Sequence, residues 1–253
     1  MKPLIVANWK MNPSSERAAL ALFGRLRRLL KGIRGVEVAV APPFPYLALA
    51  RGYLPFRLAG QDLFWEMAGP YTGEVSSAML ADLGARYVIV GHSERRRLGE
   101  DDHAVNLKVR AVLRAGMTPI IAIGEESRES QEVVPATLSI ELSSAIRDIP
   151  KRELRGIVVA YEPVWAVSTT RGASPDTPDH ATRRAIYIRK LLTKMLGSRI
   201  ADSIRILYGG SVNAKNAADY ISSDIRGMEG LLVGGASLRA EEFAAIVRSA
   251  ARR

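Results

Sequence analysis

The sequence predicts an α/β fold, a single-domain (β/α)8 barrel of eight parallel strands that takes up residues 1–253. Three observations lead to this prediction. Eight short apolar runs recur along the chain, helical patterns lie between them, and no Pro/Ser-rich linker or low-complexity tract divides the sequence. Eight strand–helix units in about 250 residues favour a closed barrel over an open doubly wound sheet.

The eight predicted strands are almost continuously apolar and rich in β-branched residues. This pattern is typical of strands that are buried on both faces of a parallel sheet. The runs are 4–7, 36–41, 57–60, 87–90, 118–123, 157–161, 204–208 and 230–233.

Helical patterns fill most of the intervals between these strands. Ser14 or Ser15 is expected to cap a helix that runs through Leu30, because a serine oxygen accepts a hydrogen bond from a free amide of the first turn. Thr177-Pro178-Asp179 starts another helix, since proline fits the first turn. The other predicted helices begin near Asp102, span 137–146 and span 239–248.

The segment 61–74 breaks this alternation because it has no helical period. Its length is typical of functional or disordered loops, and its apolar residues, Trp65 and Tyr71 among them, argue against disorder. Apolar side chains on a projecting loop need cover. A partner subunit is the favoured cover, and packing against the chain's own barrel is the alternative.

Composition excludes several kinds of chemistry. The chain has no cysteine, which excludes disulfides, thiolate catalysis and cysteine-ligated zinc. It has three histidines, no two of them four residues apart, so we expect no histidine-rich metal site. No apolar run approaches the length of a membrane span, and the first ten residues do not resemble a secretory signal. A cytoplasmic protein is therefore expected.

The net charge of +10 could indicate nucleic-acid, lipid or anionic-substrate binding. The basic residues are scattered, however, and the two densest clusters, within 25–34 and at 95–97, have no interleaved aromatic residues. We therefore expect a solvated arginine-rich surface and no nucleic-acid partner.

Candidate functional groups follow five of the predicted strands, since in such a barrel functional groups gather at the carboxyl ends of the strands. Asn8 and Lys10 follow the first strand, His92 the fourth and Glu162 the sixth. Glycine pairs follow the seventh and eighth strands, at Gly209-Gly210-Ser211 and Gly234-Gly235.

The two glycine-rich turns predict a phosphate site. Glycine lets backbone N–H groups approach a ligand closely, and turns after these two strands hold phosphate in many barrels of this kind. Either turn alone would more readily be explained as a tight turn; two at adjacent strand ends favour phosphate.

Glu162 and His92 are candidates for acid–base chemistry. Glu162 is followed by Pro163, which holds it extended, and apolar surroundings would make its carboxylate a usable general base. A salt bridge explains a lone strand-end glutamate equally well. His92 precedes an apparent helix start, whose positive end disfavours the imidazolium form. A neutral ring there can donate a hydrogen bond to a carbonyl, although a structural histidine is the alternative.

Lys10 is a candidate electrostatic clamp, or else only a surface charge. Glutamate, histidine, lysine and a phosphate cradle together indicate proton abstraction next to a carbonyl on a small phosphorylated substrate. Neither a nucleophilic cysteine nor a nucleotide-binding loop competes with this interpretation.

Seven segments in order resemble the triosephosphate isomerase family, whose barrel is the TIM barrel. They are Ala7-Asn8-Trp9-Lys10-Met11-Asn12, Ala41-Pro42-Pro43, Tyr71-Thr72-Gly73-Glu74-Val75-Ser76, Gly91-His92-Ser93-Glu94-Arg95-Arg96, Ala160-Tyr161-Glu162-Pro163-Val164-Trp165-Ala166, Tyr208-Gly209-Gly210-Ser211-Val212 and Val233-Gly234-Gly235-Ala236-Ser237-Leu238. They span residues 7–238, almost the whole chain.

The resemblance implies interconversion of dihydroxyacetone phosphate and D-glyceraldehyde 3-phosphate through an enediolate, a step of glycolysis and gluconeogenesis. It implies Glu162 as base, neutral His92 as electrophile, Lys10 and Asn8 as electrostatic stabilisers and Glu94 as the partner that positions Lys10. Ser93 matches the family serine near the base.

The resemblance further implies substrate binding and assembly. Backbone N–H groups around Ser211, Gly234 and Gly235 would bind phosphate, with Ser168 of the lid. A homodimer is implied, with the loop of Trp65, Tyr71 and Thr72 at the interface. No metal or organic cofactor is implied.

The sequence departs from the family at the lid, where Ser168 and Thr170 replace two glycines and about three residues are added before Thr177-Pro178. We expect lid closure to survive with altered kinetics. The lid is Pro163, Val164, Trp165, Ala166, Val167, Ser168, Thr169, Thr170, Arg171 and Gly172.

Two other functions stay open. One is a binding protein that uses its basic surface, motivated by the +10 charge and the altered lid. It would show nucleic-acid affinity with a steep salt dependence, but it would not require Asn8, Lys10, His92 and Glu162 together. The other is an isomerase of a larger sugar or an indole precursor on a similar phosphate-binding barrel.

Overall fold

A computed structural model describes residues 1–52, 55–128, 135–167, 172, 174–221 and 227–252. Eight parallel strands close into a barrel in sequence order, and β1 pairs with both β2 and β8. The strands are β1 Leu4–Asn8, β2 Glu37–Ala41, β3 Arg57–Gly60, β4 Ala85–Val90, β5 Thr118–Ile123, β6 Val158–Tyr161, β7 Arg205–Tyr208 and β8 Gly230–Val233. The predicted fold class is confirmed.

Helices follow the strands around the barrel. The α-helices within the described residues are α1 Glu16–Leu30, α2 Phe44–Leu47, α3 Ser77–Asp82, α4 Ser93–Arg97, α5 Asp102–Arg114, α6 Ala136–Ala145, α7 Pro178–Leu196, α8 Ser198–Ala201, α9 Ala217–Tyr220 and α10 Ala240–Ala251. Short 3-10 helices span Ala48–Gly52, Val164–Ala166 and Gly235–Leu238. The part of the chain that the structure describes contains no helix long and apolar enough to cross a membrane.

Side-chain chemistry sets the helix starts. Ser15 caps α1 by accepting a hydrogen bond from the Ala18 amide at 3.3 Å, and Thr177 caps α7 by accepting one from His180 at 3.2 Å. For α5 the cap is Asp101, which accepts from the Ala104 amide at 2.7 Å, so the helix begins at Asp102 as expected. The short helices α2, α3, α8 and α9 were not predicted, because helices of four to six residues are too short to show a period.

The strands are mostly apolar because they face two cores. Alternate residues of β1 point in opposite directions. Leu4 and Val6 belong to the cluster inside the barrel, whereas Ile5 and Ala7 pack in the larger cluster between barrel and helices.

The segment 61–74 forms no helix, and three of its aromatic rings pack on one another. The ring centroids of Phe64 lie 4.1 Å from Trp65 and 4.6 Å from Tyr71. Met67 and Tyr71 remain 60% and 42% exposed. The loop thus covers part of its apolar surface with its own side chains and leaves part open.

A polar network links three strands at the amino end of the barrel. Glu37 accepts hydrogen bonds from Tyr87 Oη at 2.7 Å and from Arg205 Nη1 at 2.8 Å, and Arg205 Nη2 donates to Tyr87 Oη at 2.8 Å. Burial acts to raise the pKa of Glu37, but the bonds from Arg205 and Tyr87 outweigh burial and leave that pKa below its usual value.

We expect Glu37→Gln to lower the free energy of unfolding at pH 7 by about 1–3 kcal/mol, the usual worth of hydrogen bonds to a charged group. A carboxyl with a lowered pKa stabilises the folded state above its unfolded-state pKa, and this contribution is lost as the pH falls through the folded-state pKa. The difference in unfolding free energy between the wild type and Glu37→Gln should therefore decrease as the pH falls. Calorimetry at pH 7 and pH 3 checks this, and a gap that stays constant contradicts it.

Candidate active site

Residues from five strand ends converge on one cavity of about 270 Å³ at the carboxyl end of the barrel. Asn8 ends β1, and the other residues lie within three positions of the ends of β1, β4, β6, β7 and β8. The sequence-predicted residues that line the cavity are Asn8, Lys10, His92, Glu162, Ser211, Gly234 and Gly235. Glu94 stands beside them, in contact with Lys10.

The Glu162 carboxylate is buried and lies beside the His92 ring. Its Oε1 is 3.4 Å from His92 Nε2, and its Oε2 accepts a hydrogen bond from the Ser93 amide at 3.3 Å. The Glu162 amide donates to Ile123 O at 2.8 Å, which ties the residue to the end of β5. Glu162 is only 2% exposed, so water has little access to the base candidate.

His92 occupies the N-cap position of α4, and this position fixes which nitrogen is an acceptor. The Glu94 amide donates to His92 Nδ1 at 3.1 Å, which requires a lone pair on that atom. The proton of a neutral ring then lies on Nε2, the nitrogen that faces Glu162. The ring can therefore offer an N–H donor to the cavity.

Lys10 is held in a backbone conformation that is uncommon for residues other than glycine, with φ of 54°. Its amide donates to Asn8 Oδ1 at 3.1 Å, and its carbonyl accepts from Gln61 Nε2 at 2.8 Å. Its Nζ donates to Glu94 Oε1 at 2.7 Å. Such strain persists where surrounding contacts over-determine it, and it concentrates at functional sites.

The two glycine-rich turns differ in their surroundings. A Cβ on Gly234 would lie 3.4 Å from Lys10 Cε, so this turn faces the lysine directly. At the other turn, the Ser211 amide and hydroxyl both donate to Ala166 O, at 3.2 and 2.7 Å. The first part of the predicted lid therefore rests on the amide expected to bind phosphate.

Trp165, near the start of the lid, is hydrogen-bonded to Glu125. Glu125 Oε1 accepts from Tyr161 Oη at 2.7 Å and from Trp165 Nε1 at 3.2 Å. Val167 lines the cavity, and Gly172 has φ of 76°. Ser168 and the lid residues 169–171 lie outside the described residues.

Sequence reasoning missed Gln61 and Glu125, although a signal existed. Gln61 follows β3 and Glu125 follows β5 after one glycine, so both obey the strand-end rule that identified the other residues. Within the described residues, no group of three or more His, Asp or Glu side chains is placed to hold a metal ion.

Gly209 leaves room for the Glu162 side chain, since a Cβ at that position would come within 2.7 Å of Glu162 Cγ. We expect Gly209→Ala to displace the carboxylate and to lower kcat by about 10- to 100-fold, because ångström-scale misplacement of a reacting group has costs of this size. Steady-state kinetics with circular dichroism checks this. A folded Gly209→Ala variant with unchanged kcat would contradict the inference that Gly209 leaves room for the Glu162 side chain.

Together, fold and site define a (β/α)8-barrel enzyme that carries acid–base groups and glycine-rich turns at the carboxyl end of its strands. A sequence description of the family named triosephosphate isomerase matches residues 3–250. The chain therefore belongs to the triosephosphate isomerase family.

Similar proteins agree with this assignment over nearly their whole length. The chain is 44% identical over 252 residues to a triosephosphate isomerase of Geotalea uraniireducens and 45% identical over 253 residues to one of Thermus thermophilus, with 98% of each chain covered in both cases. The crystal structure of triosephosphate isomerase from Bartonella henselae superposes with a TM-score of 0.84 at 33% identity, covering 98% of this chain and 99% of that one.

Proposed function

We propose that the chain is a triose-phosphate isomerase that interconverts dihydroxyacetone phosphate and D-glyceraldehyde 3-phosphate. One observation carries the proposal. A buried glutamate and a histidine lie 3.4 Å apart in a cavity that also contains a lysine and two glycine-rich turns. Family membership supports it, and neither geometry nor comparisons favour the basic-surface binding protein.

Glu162 takes a proton from one substrate carbon and returns it to the next. Nε2 of neutral His92 donates to the carbonyl oxygen as negative charge develops there, and it moves protons between the two oxygens. Lys10 and Asn8 stabilise the same charge, and Glu94 positions Lys10 through its 2.7 Å contact. Asn8, His92 and Glu162 are buried in a cavity of about 270 Å³, and charge interactions in such a site are stronger than in water.

Phosphate binding is proposed for the backbone N–H groups of Ser211, Gly234 and Gly235, with a contribution from Ser168. The Ser211 amide is bonded to Ala166 O in this structure. Phosphate must therefore exchange for that carbonyl, so substrate binding releases the first part of the lid. This exchange couples lid movement to the phosphate group.

A coupled assay with either triose phosphate tests the activity. We expect turnover in both directions without an added metal or organic cofactor. No turnover with either substrate would refute the function.

Within the proposal, residues 1–253 form one domain, since β1 begins at Leu4 and α10 ends at Ala251. A cytoplasmic location and a role in glycolysis and gluconeogenesis are also proposed.

A homodimer is proposed through the loop that contains Trp65, Tyr71 and Thr72. The 42% exposed Tyr71 ring stands beside the exposed Thr72. We expect Tyr71→Glu to place a charge in the interface and to dissociate the dimer, since an uncompensated buried charge is costly.

Sedimentation equilibrium should give twice the 27.6 kDa chain mass for the wild type and the single mass for Tyr71→Glu. Ile186→Glu, a similar change on helix α7, serves as the control and should remain dimeric. A monomeric wild type contradicts the proposal, as does a dimeric Tyr71→Glu.

A further inference from the structure

A second cavity, of about 340 Å³, lies behind the candidate active site, and Glu162 lines both cavities. The second cavity is bordered by the residues that follow β4, by those that follow β5, and by helix α6. Helix α6 contributes Glu141, a buried carboxylate that has no place in the proposed chemistry. Its contacts reach the segment after β4, which carries His92, and the segment after β5, which is hydrogen-bonded to Glu162.

Glu141 binds one group from each of these two segments. Its Oε2 accepts a hydrogen bond from the Gly124 amide at 2.9 Å. Its Oε1 lies 3.5 Å from Arg96 Nε, in an ion pair. The side chain is 8% exposed as a residue, so these contacts are made with little competition from water.

The Gly124 contact leads to Glu162. The neighbours of Gly124 hold this segment from both sides, because Ile123 O accepts from the Glu162 amide at 2.8 Å and Glu125 O accepts from the Val164 amide at 3.0 Å. A Cβ on Gly124 would lie 1.7 Å from Glu162 O, so the two backbones touch. A displaced Gly124 peptide therefore displaces Glu162.

The Arg96 contact leads to His92. Arg96 Nε donates to Gly91 O at 3.0 Å, and Gly91 directly precedes the histidine. Arg96 Nη1 donates to Asp102 Oδ1 at 2.7 Å, which anchors the guanidinium to the start of α5. Glu141 thus binds a side chain that holds the backbone next to His92.

We propose that Glu141 is a positioning residue that fixes the Glu162 and His92 loops relative to each other, and that its charge state modulates turnover. The inference rests on the proposed function, in which Glu162 and His92 do the chemistry. Glu141 itself does not line the catalytic cavity, so it acts through Gly124 and Arg96.

The charge of Glu141 changes in the working range of pH. Burial raises the pKa of Glu141 to about 7. Arg96 and the Gly124 amide act to lower it, whereas Asp102 and Glu162 act to raise it. Arg97 and Glu126 line the same cavity. Above the pKa the carboxylate pairs fully with Arg96, and below it Arg96 loses this partner.

The test compares Glu141→Gln and Glu141→Ala with the wild type, and uses Glu153→Gln, an exposed position, as control. Glutamine keeps an acceptor for the Gly124 amide but cannot ionise. We expect alanine to lower kcat by about 10-fold with little change in KM, since small displacements of reacting groups are costly. Glutamine should restore most of this loss.

The pH profile of kcat separates positioning from mere stability. The wild type should show a step with midpoint near pH 7 that is absent in Glu141→Gln and present in Glu153→Gln. Titration of the substrate phosphate is common to all variants and cancels in the comparison. Superimposable profiles for wild type and Glu141→Gln overturn the inference, as does an alanine variant with unchanged kcat.

A measurement without substrate keeps the two proposals distinguishable. The amide NMR shift of Gly124 should titrate near pH 7 in the wild type and not in Glu141→Gln. A Gly124 shift that does not titrate in the wild type overturns the inference, even if the enzyme is active. Absent turnover in the wild type refutes the proposed function and the effect on catalysis together, whatever the amide titration shows.

Discussion

Glu162→Gln should lower kcat by at least ~10²-fold in both directions, the usual scale for a positioned acid–base group. The amide keeps the size of the side chain and an acceptor for the Ser93 amide, which now donates to Glu162 Oε2 at 3.3 Å. It cannot take up the proton that a base must remove. Since substrate contacts remain, KM should change much less than kcat.

Kinetics in both directions, with the unfolding temperature measured on the same samples, checks this expectation. Glu153→Gln is the matched control, because it makes the same chemical change at an exposed position and should leave kcat unaltered. A folded Glu162→Gln protein with kcat within tenfold of the wild type would show that another group is the base.

Lys10→Met should lower kcat/KM by about 10²–10³-fold, the loss found when one preorganised stabiliser of a developing anion is removed. Lys10 Nζ is held at 2.7 Å by Glu94, and its side chain is 19% exposed, so the charge is largely desolvated. Methionine preserves the length of the side chain and removes the charge. Both residues carry a Cβ, so the strain at φ of 54° stays the same.

The control for this variant is Lys2→Met, which removes an exposed charge at the opposite end of the barrel. It also separates a local effect from the loss of general attraction by the +10 net charge. If kcat/KM falls by the same small factor in Lys2→Met and Lys10→Met, long-range attraction of the substrate accounts for both losses. Raising the ionic strength should then abolish the difference from wild type.

Local chemistry made much of the fold predictable. Strands buried on both faces are almost continuously apolar, so the run 118–123 could be read directly and matches β5. Ser15 and Thr177 cap helices through hydrogen bonds within three residues of themselves. The short helices α2, α3, α8 and α9 have four to six residues each, too few for their sequences to show a helical period.

Part of the candidate site was also predictable, because the barrel brings strand ends together by rule. Asn8, Lys10, His92, Glu162 and the glycine turns were identified in this way, and the structure places all of them around one cavity. Glu141 could not be found by the same rule. It lies in the middle of a helix, and only the packing of α6 against the barrel brings it to the Gly124 amide.

The sequence by itself determined the barrel, the family and the identity of the residues at the strand ends. These depend on hydrophobic patterns and on motifs that are continuous along the chain. Tertiary structure alone decided the 3.4 Å distance between Glu162 and His92 and the hydrogen bond from the Ser211 amide to Ala166 O. It also set the geometry of the Lys10–Glu94 pair, which the family resemblance had implied. Those contacts join residues that are far apart in the sequence. Ser211 and Ala166 are 45 positions apart, and Lys10 and Glu94 are 84 positions apart. Their geometry arises from packing between elements, which no local pattern encodes.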